Sequence, residues 1–449
     1  MVYNIPVNAL TQSQEELTMK RAEFEQVTGE FAAFHGEFAR FFGRTEARHR
    51  SEQYLRGLLV QQTDRRNAEN LAEAVGGSSA RALQRHLSES PWATRPVLDA
   101  LQGYLAARLN TPEGIFVFDE SGFPKKGTKS VGVTRQYCGT LGKVGNCQLG
   151  VFLGYVSQRG HALVDANLFL PREWIEDDAR RLEAGIPTEV TYQTKAELAL
   201  GMLRHAKHLG KLQGDWVTAD EDYGKSPALR DALDAEGWHY VLEVAGCTTV
   251  FPHPAHVAVP TWSGAGKKPT KPRLVDGEAP AQPMEGWAAH LDEARWQTIT
   301  VGEGAQGPRT YQFVAQRGWE SREGLPGRAC WLVARRNLDG SELKFYLSNA
   351  PADTPLATLG YVGAQRWPIE TDFQTGKGET GLDEYEVRSW MGWHHHITLA
   401  LLAGAFLLNI QQEWGKKSAR SHPTPSQPGA PGNPSSPLLD RSRTLVLAP

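Results

Sequence analysis

The pattern of apolar residues divides the chain into a helical first part and a second part with strand character. From about Gln14 to Leu109, apolar residues recur at spacings of three and four, the period of helices that bury one face. Within this part, Ala68 to Ser88 predicts two helices separated by Gly76-Gly77-Ser78-Ser79, with a serine cap before the second. The pair resembles a helix-turn-helix, but most short helical hairpins only pack, so both interpretations stay open.

Short apolar runs typical of strands begin after Thr111. Three of them predict a three-stranded meander: Ile115 to Phe118, Gln148 to Val156 and His161 to Leu170. Helix and strand patterns then alternate: Lys195 to Leu209, Asp215 to Ala219, Pro227 to Glu236 and His239 to Val244. The order βββαβαβ predicts an α/β fold, a mixed sheet flanked by helices.

The composition changes twice in the second half of the chain. From Thr248 to about Gly324 it is rich in Pro, Gly and Lys, with short strand candidates, which predicts a strand-rich insertion over 248–328. Strand and helix patterns resume over 329–415. Beyond Lys416 the chain has too few apolar residues to fold by itself, so 416–449 is predicted to be a disordered tail.

Composition indicates a soluble globular protein. The hydrophobic content is 40% and the charged content 22%. The longest apolar run, Ile397 to Ile410, is shorter than the roughly 20 residues that span a bilayer and predicts a buried helix. With no visible secretory signal, we expect a cytoplasmic protein without a membrane partner. Four scattered cysteines without a CxxC pair fit reduced thiols and argue against a cysteine zinc site.

The formal net charge of -3 does not by itself indicate a nucleic-acid-binding protein. The local charge differs from the net charge of the chain, because basic residues form two clusters. One holds Arg40, Arg44, Arg48, Arg50, Arg56, Arg65 and Arg66, and the other holds Lys125, Lys126, Lys129 and Arg135. Either cluster could contact phosphates, and either could be a solvated face.

Two acidic residues follow predicted strands. Asp119 comes directly after Ile115 to Phe118, and Asp220 directly after Asp215 to Ala219. If these strands are neighbours in the sheet, the two carboxylates lie close together. Glu120, Glu221 and Asp222 are adjacent alternatives, since consecutive strand residues point to opposite faces.

A third acid lies in the segment Arg366 to Lys377. Pro368 followed by Glu370 suits the start of a helix, where the helix dipole favours an ionised carboxylate. Glu370 and Lys377 are seven residues apart, about two helical turns, and therefore share one face. Asp372 is a neighbouring alternative to Glu370. Arg366 and Lys377 could hold phosphates beside this acid.

Three converging carboxylates form an oxygen-rich site suited to Mg²⁺ or Mn²⁺. Two such ions can activate the attacking oxygen and stabilise the leaving oxygen of an in-line phosphoryl displacement. With water attacking, this chemistry nicks DNA; with a DNA 3'-hydroxyl attacking, it joins two strands. Each acid taken singly would more commonly form a surface salt bridge, but the set with its Arg and Lys predicts a metal site made by Asp119, Asp220 and Glu370.

Two other motifs resemble sites. His394-His395-His396 resembles a metal cluster, but consecutive helical residues diverge by about 100°, which favours packing or phosphate contact. Trp367, Trp390 and Trp393 could stack on an unpaired base, although core packing is the commoner role of such residues.

At this point the sequence resembles a known family, the DDE transposases of bacterial insertion sequences, which share an RNase H-like catalytic core. The most specific element is the spacing of Arg366, Glu370 and Lys377, which matches the family's YREK signature. The resemblance continues through 381–394 and covers most of the chain. The position of the signature's Tyr is occupied by Gly363, with Tyr361 two residues further upstream.

The resemblance implies an activity, a cofactor and partners. Asp119, Asp220 and Glu370 would be the catalytic acids with Mg²⁺, and Mn²⁺ would also support activity. The DNA partners would be duplexes with terminal inverted repeats and a target DNA, and a homodimer is compatible with synapsis of two ends. Residues 1–110 would bind the DNA ends, 111–247 and 329–415 would form the RNase H-like core, and further DNA contacts are expected from Arg65, Arg66, Lys125, Lys126, Lys129 and Trp367.

Two alternatives stay open from sequence alone. A different RNase H-like nuclease would cut DNA without joining it. A descendant that binds DNA without cutting it would be expected to have lost an acid, whereas all three acids are present.

Overall fold

The computed structural model describes residues 21–60, 65–304 and 307–421. Five helices occupy the described part of the chain before residue 110: α1 (Arg21–Ala39), α2 (Thr45–Leu59), α3 (Ala68–Val75), α4 (Ala80–Ser88) and α5 (Thr94–Leu109). The Ser79 hydroxyl accepts a hydrogen bond from the Ala82 backbone nitrogen at 3.2 Å, so the predicted serine cap of α4 is present.

The next part of the chain forms a mixed sheet with helices. Its strands are β1 (Ile115–Pro124), β2 (Thr134–Cys138), β3 (Lys143–Ser157), β4 (Gly160–Phe169), β5 (Trp216–Ala219) and β6 (His239–Val244). Its helices are α6 (Arg172–Ile175), α7 (Asp178–Ala184), α8 (Lys195–Leu209), α9 (Glu221–Gly224) and α10 (Pro227–Ala235).

The order of these strands is that of an RNase H-like sheet. Across the sheet they run β4, β3, β1, β5, β6. β1 is antiparallel to β3 and parallel to β5, and β5 is parallel to β6. This arrangement confirms the predicted α/β fold, with β1 central. β2, which pairs with β3, was missed because Thr134–Cys138 lacks an alternating apolar pattern.

The predicted insertion is strand-rich, as expected, and it continues the same sheet. Its elements and those following are β7 (Thr249–Phe251), β8 (Val257–Ala258), β9 (Arg273–Leu274), β10 (Gln282–Pro283), α11 (Met284–Ala289), β11 (Gln297–Gly304), β12 (Gly307–Arg322), β13 (Leu325–Arg336) and β14 (Lys344–Ser348). Beyond β6 the sheet proceeds through β14, β13, β12, β7 and β10. The domain boundaries stay predictions; the one at 328/329 falls inside β13.

Three helices complete the described chain: α12 (Leu356–Ala364), α13 (Trp367–Glu379) and α14 (Trp390–Ser421). By length and composition, the segment Trp390–Glu413 could cross a membrane, but 72% of its apolar window is buried inside the protein, as in the core helix of a soluble protein. The predicted buried helix at Ile397 to Ile410 is therefore confirmed. Residues 416–421 of the predicted tail belong to α14, and 422–449 lie outside the described residues.

The N-terminal helices pack directly on α14. The rings of Phe31 and Phe406 meet edge to face at 5.4 Å, and the Tyr54 hydroxyl lies 2.8 Å from His396 Nδ1. The predicted N-terminal unit and the catalytic core thus share one hydrophobic core.

Candidate active site

Two carboxylates lie side by side on the central strands. Phe118 of β1 pairs with Ala219 of β5, so the residues that follow, Asp119 and Asp220, stand at the same level on strands about 4.8 Å apart. Asp119 was predicted to lie at the end of its strand, but β1 continues to Pro124. Asp119 lies instead at the point where the pairing of β1 with β5 stops. Asp220 caps α9 by accepting a hydrogen bond from the Asp222 backbone nitrogen at 3.0 Å.

Asp119 and its neighbour Glu120 have different partners. Asp119 Oδ2 lies 3.4 Å from Arg366 Nη1. Glu120 instead forms an ion pair with Lys195 at the start of α8, and its Oε2 lies 3.5 Å from the Tyr223 hydroxyl. Because adjacent strand residues point to opposite faces, only Asp119 shares a face with Arg366.

Arg366 is the centre of the acidic cluster. It directly precedes α13 and forms an ion pair with Glu370 one turn later, with 2.6 Å between Nη2 and Oε1. Its Nε is 3.9 Å from Oε2 of Glu243, on β6. The start of α13 therefore brings Arg366 to carboxylates on β1 and β6, and Glu370 joins the group through Arg366.

Burial and mutual repulsion perturb these acids. Burial raises the pKa of Asp119 to about 7, with Arg366 opposing the shift and Asp220 adding to it. Burial also raises the pKa of Asp220 to about 6, again against Arg366. Burial alone would lower the pKa of Arg366, but Asp119, Glu370 and Glu243 together raise it above its usual range. By formal charge, these four carboxylates act on the single guanidinium of Arg366, which favours a further cation.

Sequence reasoning missed Glu243, Lys344 and Tyr346. Glu243 Oε1 lies 3.1 Å from Nζ of Lys344 on β14, so it links a second cation to the cluster. The ring of Tyr346, also on β14, lies beside Gly363: a Cβ built there would be 3.4 Å from Tyr346 Cε1. The position without the signature's Tyr is thus packed against another tyrosine. Glu243 could have been found from the sequence, because it is an acid near the end of the strand-like run 239–244.

Lys377 is not in contact with the acids. It is on α13 with Glu370, as predicted, but its Nζ lies 2.8 Å from Thr140 Oγ1, between β2 and β3. Burial lowers the pKa of Lys377. The structure therefore brings together Asp119, Asp220, Arg366 and Glu370 and leaves Lys377 at the edge of the group.

The predicted DNA contacts differ in their exposure. Lys126 and Arg65 are exposed, and Lys129 is exposed and paired with Glu183 at 2.8 Å. Arg66 is 8% exposed, with Nη1 3.7 Å from Glu384 Oε1, which leaves little of its side chain for a phosphate.

Two other residues that were predicted to contact DNA take part in cation–π pairs. Lys125 is half-buried, with Nζ 3.5 Å from the centre of the Tyr385 ring. Trp367 is 38% exposed and stacks under the guanidinium of Arg309 at 4.5 Å. Trp367 therefore presents an aromatic surface close to Glu370.

The histidine triplet makes three separate sets of contacts. The Nδ1 of His394 lies 2.9 Å from the Trp390 carbonyl, His395 stacks on Trp92 at 3.8 Å, and His396 lies 3.0 Å from the Gly381 carbonyl. The contact of His394 lies within α14, whereas those of His395 and His396 join α14 to the surrounding chain. Trp393 is fully buried beside them.

The donor set fits a hard divalent cation. Among the described residues, no three Asp, Glu, His or Cys side chains converge closely enough to hold an ion as they stand. The acids present only oxygen, burial raises the pKa of Asp119 and of Asp220, and Glu370 is turned towards Arg366. Oxygen ligands in an excess of negative charge suit Mg²⁺ or Mn²⁺.

Comparisons with known proteins place the chain in a family. The family model described as DDE superfamily endonuclease matches residues 37–308, more than half of the chain. The match includes Asp119 and Asp220 and ends before Arg366 and Glu370. The chain is 22% identical over 366 residues, 79% of each protein, to the probable transposase for insertion sequence element IS701 of Microchaete diplosiphon.

Two solved structures are similar at a lower level. The piggyBac transposase synaptic complex with hairpin DNA is 11% identical, with a TM-score of 0.38 over 88% of this chain and 75% of that one. The NurA nuclease from Sulfolobus solfataricus is 9% identical, with a TM-score of 0.23 over 73% of this chain and 93% of that one. The RNase H-like assignment rests on the strand order itself, and the family match identifies the chain as a member of the DDE superfamily endonucleases.

Proposed function

We propose that this endonuclease is a DNA transposase that cuts phosphodiester bonds at the ends of an insertion sequence and joins them to target DNA. The observation that carries the proposal is the meeting of Asp119 and Asp220, on adjacent parallel strands, with Arg366 and Glu370 at the start of α13. The similarity to a protein described as a probable transposase supports the same activity.

Asp119, Asp220 and Glu370 are proposed to hold Mg²⁺, with Mn²⁺ as an alternative. When bound, two such ions would activate the attacking oxygen and stabilise the leaving oxygen of an in-line phosphoryl transfer. Arg366 orients Asp119 and Glu370 through its ion pairs and offers planar guanidinium donors to a phosphate. Lys377 is proposed to contact the phosphodiester further along the DNA, since it lies beside Thr140 and not among the acids.

The remaining partners are proposed from exposure and charge. Arg65, Lys126 and Lys129 are exposed and would contact DNA phosphates, while Trp367 would stack on a base near the cut bond. The N-terminal helices, with the α3–α4 hairpin, would bind the terminal inverted repeats. A homodimer would hold two ends in the synaptic complex, and the protein would act in the cytoplasm.

The test is cleavage and strand transfer on duplexes that carry the element's own terminal repeats, with Mg²⁺. Wild type would be compared with Asp119→Ala, Asp220→Ala and Glu370→Ala. Joined products from wild type and none from each variant would support the proposal. Cutting without joining would instead identify a nuclease, and metal-independent binding without cutting, equal in all four proteins, would identify a DNA-binding descendant.

A further inference from the structure

The insertion carries an exposed hairpin that the proposed chemistry does not use. Residues 257–275, which we call the basic arm, contain β8 and β9, which pair with each other in a two-stranded sheet separate from the main one. Nearly all residues of the arm are exposed. Val257, Val259 and Val275 add exposed apolar surface, and Trp262 is 47% exposed.

The charge of the basic arm contrasts with that of the whole chain. It contains four basic residues, Lys267, Lys268, Lys271 and Arg273, and no acidic residue, whereas the chain has a net charge of -3. All four side chains are exposed, and among the described residues none has an ion-pair or hydrogen-bond partner. Lysines elsewhere, such as Lys129 and Lys195, are paired with carboxylates. Asp276 and Glu278 lie just beyond the arm, and Glu278 is paired with His256. Four unpaired cations within the arm form a site for an anionic surface.

The arm is held at its base and ordered at its tip. His256 and Glu278, which flank it, lie 2.6 Å apart, and the Val275 backbone nitrogen donates to the His256 carbonyl at 3.0 Å. At the tip, the Trp262 indole nitrogen donates to the carbonyls of Ala265 and Gly266, each at 3.2 Å. These contacts limit the conformations of the arm, so less entropy is lost when a ligand binds.

The arm leaves the main sheet from β7 and returns to it at β10. From β5, which leads into Asp220, the sheet crosses β6, β14, β13 and β12 to reach β7. Five strand spacings amount to about 24 Å, the length of about seven base pairs of duplex DNA. A duplex that lies along the sheet with one phosphodiester at the acids would therefore reach the base of the arm.

We propose that the basic arm binds the phosphate backbone of the DNA duplex about seven base pairs from the cut bond. The inference rests on the proposed function, because it takes the same DNA as its ligand. Lysine ammonium groups on flexible stems suit phosphates and carry no base-pair information, so the contact fixes position along the duplex without reading sequence.

The test uses the full chain, without divalent metal, and a fluorescent duplex of about 30 base pairs. The variant Lys267→Gln/Lys268→Gln removes two charges from the arm. The control, Lys207→Gln/Lys211→Gln, also removes two exposed charges, one in the last turn of α8 and one just after it, remote from Lys195 and the acids. Fluorescence anisotropy between 50 and 200 mM salt gives the affinity and its dependence on salt.

The arm variant is expected to bind roughly tenfold or more weakly at 0.1 M salt, with the slope of log K against log salt smaller by up to about 1.8, as for two lost phosphate contacts. The control should match wild type, and Lys267→Arg/Lys268→Arg should retain binding. Equal affinity and slope for the arm variant and its control would overturn the proposed DNA contact of the basic arm and leave the proposed function standing. Absence of duplex binding by wild type would overturn both.

Discussion

Arg366 contacts three acidic side chains of the described site. Its guanidinium lies among Asp119, Glu370 and Glu243, which compensates the cost of burying these charges. Glu243 in turn contacts Lys344, so the ion pairs extend from α13 to β14. Through this chain of contacts Glu243 positions Arg366 without being one of the three proposed metal ligands.

We expect Glu243→Gln to slow cleavage roughly tenfold, the effect of about 1.4 kcal/mol on the barrier, because Arg366 would lose one of its carboxylate partners. The control is Glu293→Gln, which changes an exposed acid of the insertion that pairs with Arg336 at the end of β13. Single-turnover cleavage at several Mg²⁺ concentrations would separate a slower maximal rate, which a positioning role predicts, from a weaker metal requirement. A rate for Glu243→Gln equal to that of the control would contradict the positioning role.

The residues on the acidic face were predictable where they lie next to a strong local pattern. Asp119 and Asp220 follow apolar strand runs, and Arg366 and Glu370 share a helix start. Glu243 was not found, because its contact with Arg366 depends on pairing between strands remote in sequence. The packing of Tyr346 beside Gly363 has the same origin.

At the scale of elements, the insertion braces the corner between α12 and α13. Nη1 of Arg309, on β12, lies 3.4 Å from the Ala364 carbonyl, and its guanidinium covers Trp367. Gln365 Nε2 donates to the Val301 carbonyl of β11 at 3.3 Å. Since Arg366 follows at once, the position of the acidic face depends on the insertion.

Arg309→Met keeps much of the side-chain length and removes the charge. We expect cleavage to fall roughly tenfold, because losing a charge-assisted contact and a cation–π pair costs about 1–2 kcal/mol at this corner. Arg295→Met, an exposed arginine before β11, serves as the control. Cleavage rates and thermal melting would be measured together. A decrease in the melting temperature of Arg309→Met that is large enough to explain the lost activity would argue against a positioning role of Arg309.

The contact between α4 and α14 should be sensitive to pH. His86 on α4 stacks near Trp92, and neither of its ring nitrogens has a hydrogen-bond partner among the described residues. Burial lowers its pKa from 6.5 to about 3, with His395, Arg50 and His35 adding to the shift. The unfolded chain therefore binds a proton between pH 6.5 and 3 that the folded chain does not, and stability falls as pH decreases through this range.

His86→Phe removes this protonation and keeps an aromatic ring. We expect the variant to gain stability relative to wild type on going from pH 7 to pH 5, by up to about 2 kcal/mol at pH 5. Urea unfolding at the two pH values measures the difference directly. Because both proteins contain the same buried acids, comparing their free energies of unfolding at each pH cancels the opposite contributions of these acids. A difference in free energy that does not depend on pH would contradict protonation of His86 as the cause.

Elements were predictable where a local period was strong. The predicted bounds of α8 and β6 agree with the structure, because a continuous helical period and a compact apolar run mark them. β2 and the two-residue strands β8 to β10 carry no such pattern. The placement of the insertion depends on the pairing of β14 with β6, a contact between distant segments that no local period encodes.

At the scale of the whole molecule, core and insertion share one continuous sheet. β12, β13 and β14 connect β6 to β7, and the N-terminal helices pack on α14. We therefore expect one cooperative unfolding transition in urea. Circular dichroism and the fluorescence of a protein that retains only Trp287, buried in the insertion, should give coincident midpoints. An earlier transition at Trp287 would mean that the insertion unfolds by itself.

Asp119, and not its neighbour Glu120 on the opposite face of β1, is proposed to take part in cutting DNA. The most direct measurement is single-turnover cleavage of an end duplex with Mg²⁺ by Asp119→Asn and Glu120→Gln, two neutral, near-isosteric changes at adjacent positions. We expect Asp119→Asn to lose at least about 100-fold in rate, because a carboxylate ligand is removed, while Glu120→Gln stays within about tenfold of wild type. Loss by Glu120→Gln with retained activity of Asp119→Asn would contradict the proposed role of Asp119.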